Sequence, residues 1–96
     1  MTHLVLMKFQ ENFLDEDNFT QIKEAYQELK EALPEEIINI QLYRNIIDRE
    51  SNMDILIKLE LKNADSLPIY LRHPIHQAIS TKMNPYVTTR VSFDHA

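Results

Sequence analysis

The stretch "MDILIKLELK", residues 53–62, alternates Met53, Ile55, Ile57, Leu59 and Leu61 with Asp54, Leu56, Lys58, Glu60 and Lys62. A side-chain period of two belongs to a β-strand, whose successive residues point to opposite faces. Just upstream, "EIINIQLYRN" at 36–45 reads as a second strand. Its pattern predicts Ile38, Ile40 and Leu42 on one face and Ile37, Asn39, Gln41 and Tyr43 on the other. The polar segment around Asp48 to Asn52 joins the two runs as in a hairpin.

Working outward, a helix and a strand flank this hairpin on each side. Upstream, Phe19, Ile22, Tyr26, Leu29 and Leu33 recur at three- and four-residue spacing, with Asp15 in the capping position and Pro34 just past the end. Before that helix, "THLVLMKF" at 2–9 places His3, Val5, Met7 and Phe9 on one face, while Leu4 and Leu6 keep the other largely apolar. Downstream, Ala64 to about Tyr86 reads as helical, broken by Pro68 and Pro74. Leu67, Tyr70 and Leu71 fall in its first piece and Ile75, Ala78, Ile79 and Met83 in its second. "YVTTRVSFD" at 86–94 closes the chain as a strand. The order β-α-β-β-α-β predicts an α+β, ferredoxin-like fold with a four-stranded antiparallel sheet and helices on one face. Leu4, Leu6 and Leu56 make the second face apolar, so it is expected to meet an identical sheet in a homodimer, closing an α+β barrel.

Composition narrows the partners. The 96 residues, 44% hydrophobic and 26% charged, are expected to form a single domain, 1–96. With no cysteine there is no disulfide, thiolate site or cysteine nucleophile, so a small domain must rely on packing or on a partner subunit. The ten Lys and Arg residues are scattered against fifteen Asp and Glu, giving a net charge of -5 and arguing against nucleic acid as a partner. The start "MTHLVLMKFQ" lacks a basic leader with a long apolar segment, and no window approaches the ~18 apolar residues of a membrane span. The expectation is a cytoplasmic protein with no membrane partner. There is no glycine, which removes phosphate-cradling glycine loops and any cofactor held by one. Asn12, Asn45, Asn52, Asn63 and Asn84 stand where turns are expected.

The chemistry is concentrated in "YLRHPIHQAIS", residues 70–80. Tyr70 and His76 lie six apart, but a helix break at Pro74 lets Tyr70 end one segment while His76 sits in the first turn of the next. A histidine titrating near neutral pH can take a proton alpha to a carbonyl, and a tyrosine hydroxyl can donate to the developing enolate oxygen. The plain alternative is a pair of half-buried groups satisfied by backbone hydrogen bonds. His73, ahead of Pro74, is expected to fix the start of the second helix. A metal site is not expected, because two histidines three apart across a proline do not have the i, i+4 arrangement of a helical zinc pair. His3 shares its face with Val5 and Met7, which should look toward the helices and any pocket there. Tyr26, Phe19 and Met83 are expected to serve as core or lining, and His95, one residue from the terminus, to be mobile.

These pieces resemble the stress-responsive A/B barrel, or Dabb, family of dimeric α+β barrel proteins. "HLVLMKF" at 3–9, the long first helix, "YLRHPIHQAI" at 70–79, "MNPYV" and a final strand ending "VSFD" stand in the expected order over nearly the whole chain. The resemblance implies a homodimer with a pocket in each subunit between sheet and helices. It also implies a candidate chemistry, since plant polyketide cyclases of the family use a histidine of the H-P-x-H motif and a nearby tyrosine for an intramolecular aldol condensation. By position these are His76 and Tyr70 as catalytic residues, with His3, Val5 and Met7 binding a small apolar carbonyl or phenolic ligand. One departure stands out: where the cyclases carry a pocket histidine at the start of the third strand, this chain has Asp54. The alternatives are a non-catalytic stress-associated structural dimer and a cofactor-free monooxygenase of the antibiotic-biosynthesis type.

Overall fold

The computed structural model describes residues 1–96. Along the chain run β1 (Thr2–Phe9), α1 (Glu16–Ala32), β2 (Ile37–Arg44), β3 (Ile55–Leu61), α2 (Ser66–Arg72), α3 (Pro74–Met83), a 3₁₀ turn (Asn84–Tyr86) and β4 (Val87–His95). The strands form one antiparallel sheet in the order β2-β3-β1-β4, which is the ferredoxin-like βαββαβ arrangement.

Ile55, Ile57, Leu59 and Leu61, the alternating face of β3, are no more than 1% exposed and form the floor of the core. Ile22, Tyr26 and Leu29 of α1 and Ile79 and Met83 of α3 cover that floor. Each fully buried Leu or Ile contributes about 1.5–3 kcal/mol relative to an exposed one, so this face sets the side on which both helices must lie.

On β2 the observed faces differ from the simple alternation. Ile37 pairs with Leu61 and is buried, but the register then shifts, and Asn39 pairs with Glu60. The bulge leaves Ile38 60% exposed and turns Ile40 and Leu42, opposite Leu59 and Ile57, to the same inner face as Ile37. A bulge adds one residue to one strand, so it reverses the parity of everything before it.

Asp15 caps α1 by accepting from the Asn18 backbone N–H at 2.8 Å. Asn12 takes the left-handed conformation with φ of 67°, the role glycine usually fills. The other turn asparagines act through their side chains instead. Asn63 Oδ1 accepts from Asp65 N–H at 3.0 Å, and Asn45 Nδ2 donates to the Ile47 carbonyl at 2.6 Å. Pro68 does not break the helical region: it sits in the first turn of α2, where no intrahelical N–H is required. The break comes at Pro74 alone, the first residue of α3. His73 caps α3, its Nδ1 accepting from the Ile75 N–H at 3.1 Å. His95, expected to be mobile, is instead the last residue of β4 and pairs with Thr2.

β4 lies at the sheet edge, and every residue of it beyond Val87 is exposed. Its pairing with β1 sets Phe93 opposite Leu4 and Val91 opposite Leu6, on the face away from the helices. Leu56, opposite Leu6 and Tyr43, extends that outer surface. Phe93 is 64% exposed there, and Val91 and Tyr43 are each 49% exposed. No helix is long and apolar enough to cross a membrane.

Candidate functional site

The same pairing that turns Val91 and Phe93 outward turns Arg90, Ser92 and Asp94 inward, opposite Met7, Val5 and His3. Because α1 lies over β2 and packs on α3, the β4 side of the inner face is left less fully covered. A cavity of about 310 Å³ lies there, between β1 and β4 below and α2 and α3 above. That size is at the lower end of small-molecule sites, roughly 300–1,000 Å³.

His3 is 7% exposed, and its Nδ1 makes a short contact with Asp94 Oδ1. A carboxylate can only accept, so the Nδ1 carries the hydrogen of this contact. The His3 ring meets Tyr70 edge to face, with centroids 6.1 Å apart.

His76 enters from the first turn of α3, which the Pro74 break starts afresh. Its Nδ1 lies 3.1 Å from the Leu71 carbonyl, an acceptor, so Nδ1 donates and Nε2 holds the lone pair. Burial pushes the His76 imidazole below its ordinary value of 6.5. The Leu71 hydrogen bond opposes that push, while the charge of Arg90 and the proximity of His3 add to it. The ring is therefore neutral at physiological pH, and a neutral imidazole with a bare Nε2 can accept a proton.

Tyr70 lies 4.5 Å from His76 between ring centroids, the planes inclined by 60°. It is 1% exposed, and burial raises its phenol well above 10.0, with the neighbouring Tyr26 hydroxyl adding to the effect and Arg90 opposing it. Burial also raises the Tyr26 phenol, against the pull of Tyr70 and Arg90. Tyr70 accordingly stays protonated and can donate its O–H to a ligand oxygen, while His76 offers the Nε2 lone pair as a proton acceptor. Two groups pushed to opposite roles by one environment form an acid and base pair.

All five residues singled out from the sequence, His3, Val5, Met7, Tyr70 and His76, line this one cavity. Asp54 does not. It belongs to the far end of β1, where its Oδ2 accepts from the Phe9 N–H at 2.8 Å and its own N–H donates to the Met7 carbonyl, also at 2.8 Å. The sequence reading missed Arg90, Ser92, Asp94 and the hydroxyl of Tyr26. A signal for the first three was present. In "RVSFD" the polar residues share one parity and the apolar residues the other, so the polar parity of β4 faces either solvent or a cavity. The Tyr26 hydroxyl had no such signal, because helical spacing reports only its ring.

The family model described as the stress responsive A/B barrel domain matches residues 1–96. The chain belongs to that family. This Dabb domain is also similar to several solved structures. One is a dimeric ferredoxin-like protein of unknown function from Thermobifida fusca, with 24% identity and a TM-score of 0.82 over 99% of this chain and 88% of that one. Another is a hydroxynitrile lyase from Passiflora edulis, with 14% identity and a TM-score of 0.78 over 98% and 89% of the two chains. A third is a Dabb family protein with a ferredoxin-like fold from Mesorhizobium loti, with 16% identity and a TM-score of 0.68 over 99% and 93%. At these identities the likeness establishes the Dabb fold alone. No curated protein is significantly similar in sequence.

Proposed function

We propose that residues 1–96 are one Dabb domain that works as a homodimer, joined through the outer sheet face, and binds a small, largely apolar carbonyl or phenolic molecule in the cavity of each subunit. His76 is the base that removes a proton alpha to the ligand carbonyl. Tyr70 donates to the oxygen on which negative charge develops, and His3, held by Asp94, orients the ligand along Val5 and Met7. The reaction class is a lyase- or cyclase-type proton transfer. Dissecting it as two steps, the Cα–H electron pair moves into the carbonyl as His76 Nε2 takes the proton. The enolate carbon then attacks a second carbonyl, forming the C–C bond as that carbonyl's π pair moves onto its oxygen. The resulting alkoxide takes the proton back from His76, the enolate C=O re-forms, and Tyr70 covers the enolate oxygen until it does.

The observation that carries this reading is the convergence of His76, with its proton fixed on Nδ1, and the permanently protonated Tyr70 on one cavity with ring centroids 4.5 Å apart. The dimer is supported by the outer apolar face, with Phe93 64% exposed, and by the dimeric neighbour from Thermobifida fusca. In one experiment, the thermal midpoints of the native protein and of His76→Ala are measured against a panel of neutral phenols and polyketones, with subunit mass followed in the same samples. A ligand at 100 times its dissociation constant stabilises by about 2.7 kcal/mol, several degrees for a domain of this size. Stabilisation of the native dimer but not of a folded His76→Ala is expected. A panel that moves neither midpoint would leave a structural dimer without a ligand as the function.

A further inference from the structure

Among the residues around the cavity, Arg90 is the one Lys or Arg, and it forms no ion pair with a carboxylate. The ion pairs of the chain are His3 with Asp94 and Lys58 with Glu60, so the Arg90 charge is uncompensated in a protein carrying fifteen acidic residues against ten basic. Its polar partner is Asn84, whose Oδ1 accepts from a guanidinium nitrogen at 2.6 Å. That contact steers the side chain yet leaves most of its five donors free. Arg90 is exposed and stands at the rim of the cavity, where a ligand can reach it without a buried charge having to be desolvated first.

We propose that Arg90 anchors a carboxylate on the ligand, so that the cavity takes a small apolar-bodied oxo or phenolic acid in preference to the neutral compound. This rests on the reading of the cavity as a ligand site given above. The guanidinium presents a planar fork that matches the two oxygens of a carboxylate, which a point charge would not. Its place on β4 also fixes the ligand's direction. Arg90 and Asp94 lie four residues apart on one strand face, ~14 Å at about 3.4 Å per residue, so the acid end sits far from the cavity's own carboxylate. Ser92 lies between them, opposite Val5, beneath the body of the ligand. The charge of Arg90 acts on His76, Tyr70 and Tyr26 alike. Because Arg90, Tyr70 and His76 line one cavity, an acid held by Arg90 directs its carbonyl or hydroxyl into the space the acid and base pair faces.

Calorimetric titration of the full chain with 4-hydroxyphenylacetate and with its uncharged amide, 4-hydroxyphenylacetamide, tests this. The native protein is expected to bind the acid at least roughly tenfold more tightly than the amide, the discrimination of one charge-assisted bidentate contact. Arg90→Gln should erase that preference and Arg90→Lys should keep part of it, each with an unaltered thermal midpoint because the side chain is exposed. Equal affinity of the two probes for the native protein overturns the proposal, as does a preference that survives Arg90→Gln. If the two probes bind the native protein alike and His76→Ala abolishes binding of the amide, the cavity reading stands while the role of Arg90 falls. Binding of neither probe also overturns the proposal, and the cavity reading falls with it if the neutral panel fails too.

Discussion

Replacing Phe93 by aspartate tests the outer face of the sheet with little disturbance to the core. An aromatic side chain buries about 150–250 Å² when covered. With Phe93 64% exposed, ~130 Å² of it is available to a facing sheet, and at about 25 cal/mol per Å² that is ~3 kcal/mol per subunit. Two-fold symmetry uses the residue twice, so the packing lost is about 6 kcal/mol, roughly four powers of ten in dissociation constant. Setting a carboxylate against Leu4 on each side widens the gap further. The expected outcome in sedimentation equilibrium at tens of micromolar protein is a dimeric native chain and a monomeric Phe93→Asp with native circular dichroism. Because Phe93 and Asp94 are adjacent on an edge strand that the helices cover only in part, the monomer is also expected to bind ligand more weakly. If Phe93→Asp is as dimeric as the native chain, or if the native chain is itself monomeric, assignment of this face to the dimer is refuted.

Three further outcomes follow from the core and the site. Burial holds His76 below 6.5 in the folded chain, so on acidification the unfolded chain takes up that proton first; the stability concerned is present above about pH 6.5 and lost as pH falls through the depressed folded value. Between pH 7.5 and 5 the thermal midpoint of the native protein should therefore fall more steeply than that of His76→Gln, and parallel curves would show that the ring is not held neutral. His73→Ala removes the side-chain cap of α3 and should cost about 1 kcal/mol, or about 4–8 °C in midpoint, with ligand affinity unchanged. A loss of binding without loss of stability would place His73 in the site instead. Leu59→Ala opens a cavity beneath α1 at a residue with 0% exposure and should cost 2–5 kcal/mol in urea unfolding, whereas the same change at exposed Ile46 should cost under about 0.5.

The sequence by itself determined the elements and the face each one buries wherever a period ran unbroken. β3 reads correctly because five apolar residues alternate without interruption, and α1 because its apolar stripe begins after a capping aspartate and stops before a proline. It also marked His3, Tyr70 and His76, since proline splits the helical region where two ring-bearing residues come together. Local pattern could not reveal the bulge at Ile38, because a bulge is a choice made by two strands pairing. Nor could it reveal that Pro68 is harmless, which depends on where α2 starts. The cavity's polar wall was decided by the tertiary structure alone. Arg90 meets Met7, and Asp94 meets His3, only through a ladder linking residues some ninety positions apart, and single-chain periodicity carries no information on which strand lies next to which. Folding also set how far the two groups depart from their residue types: burial holds the His76 imidazole below its ordinary value and the Tyr70 phenol above its own.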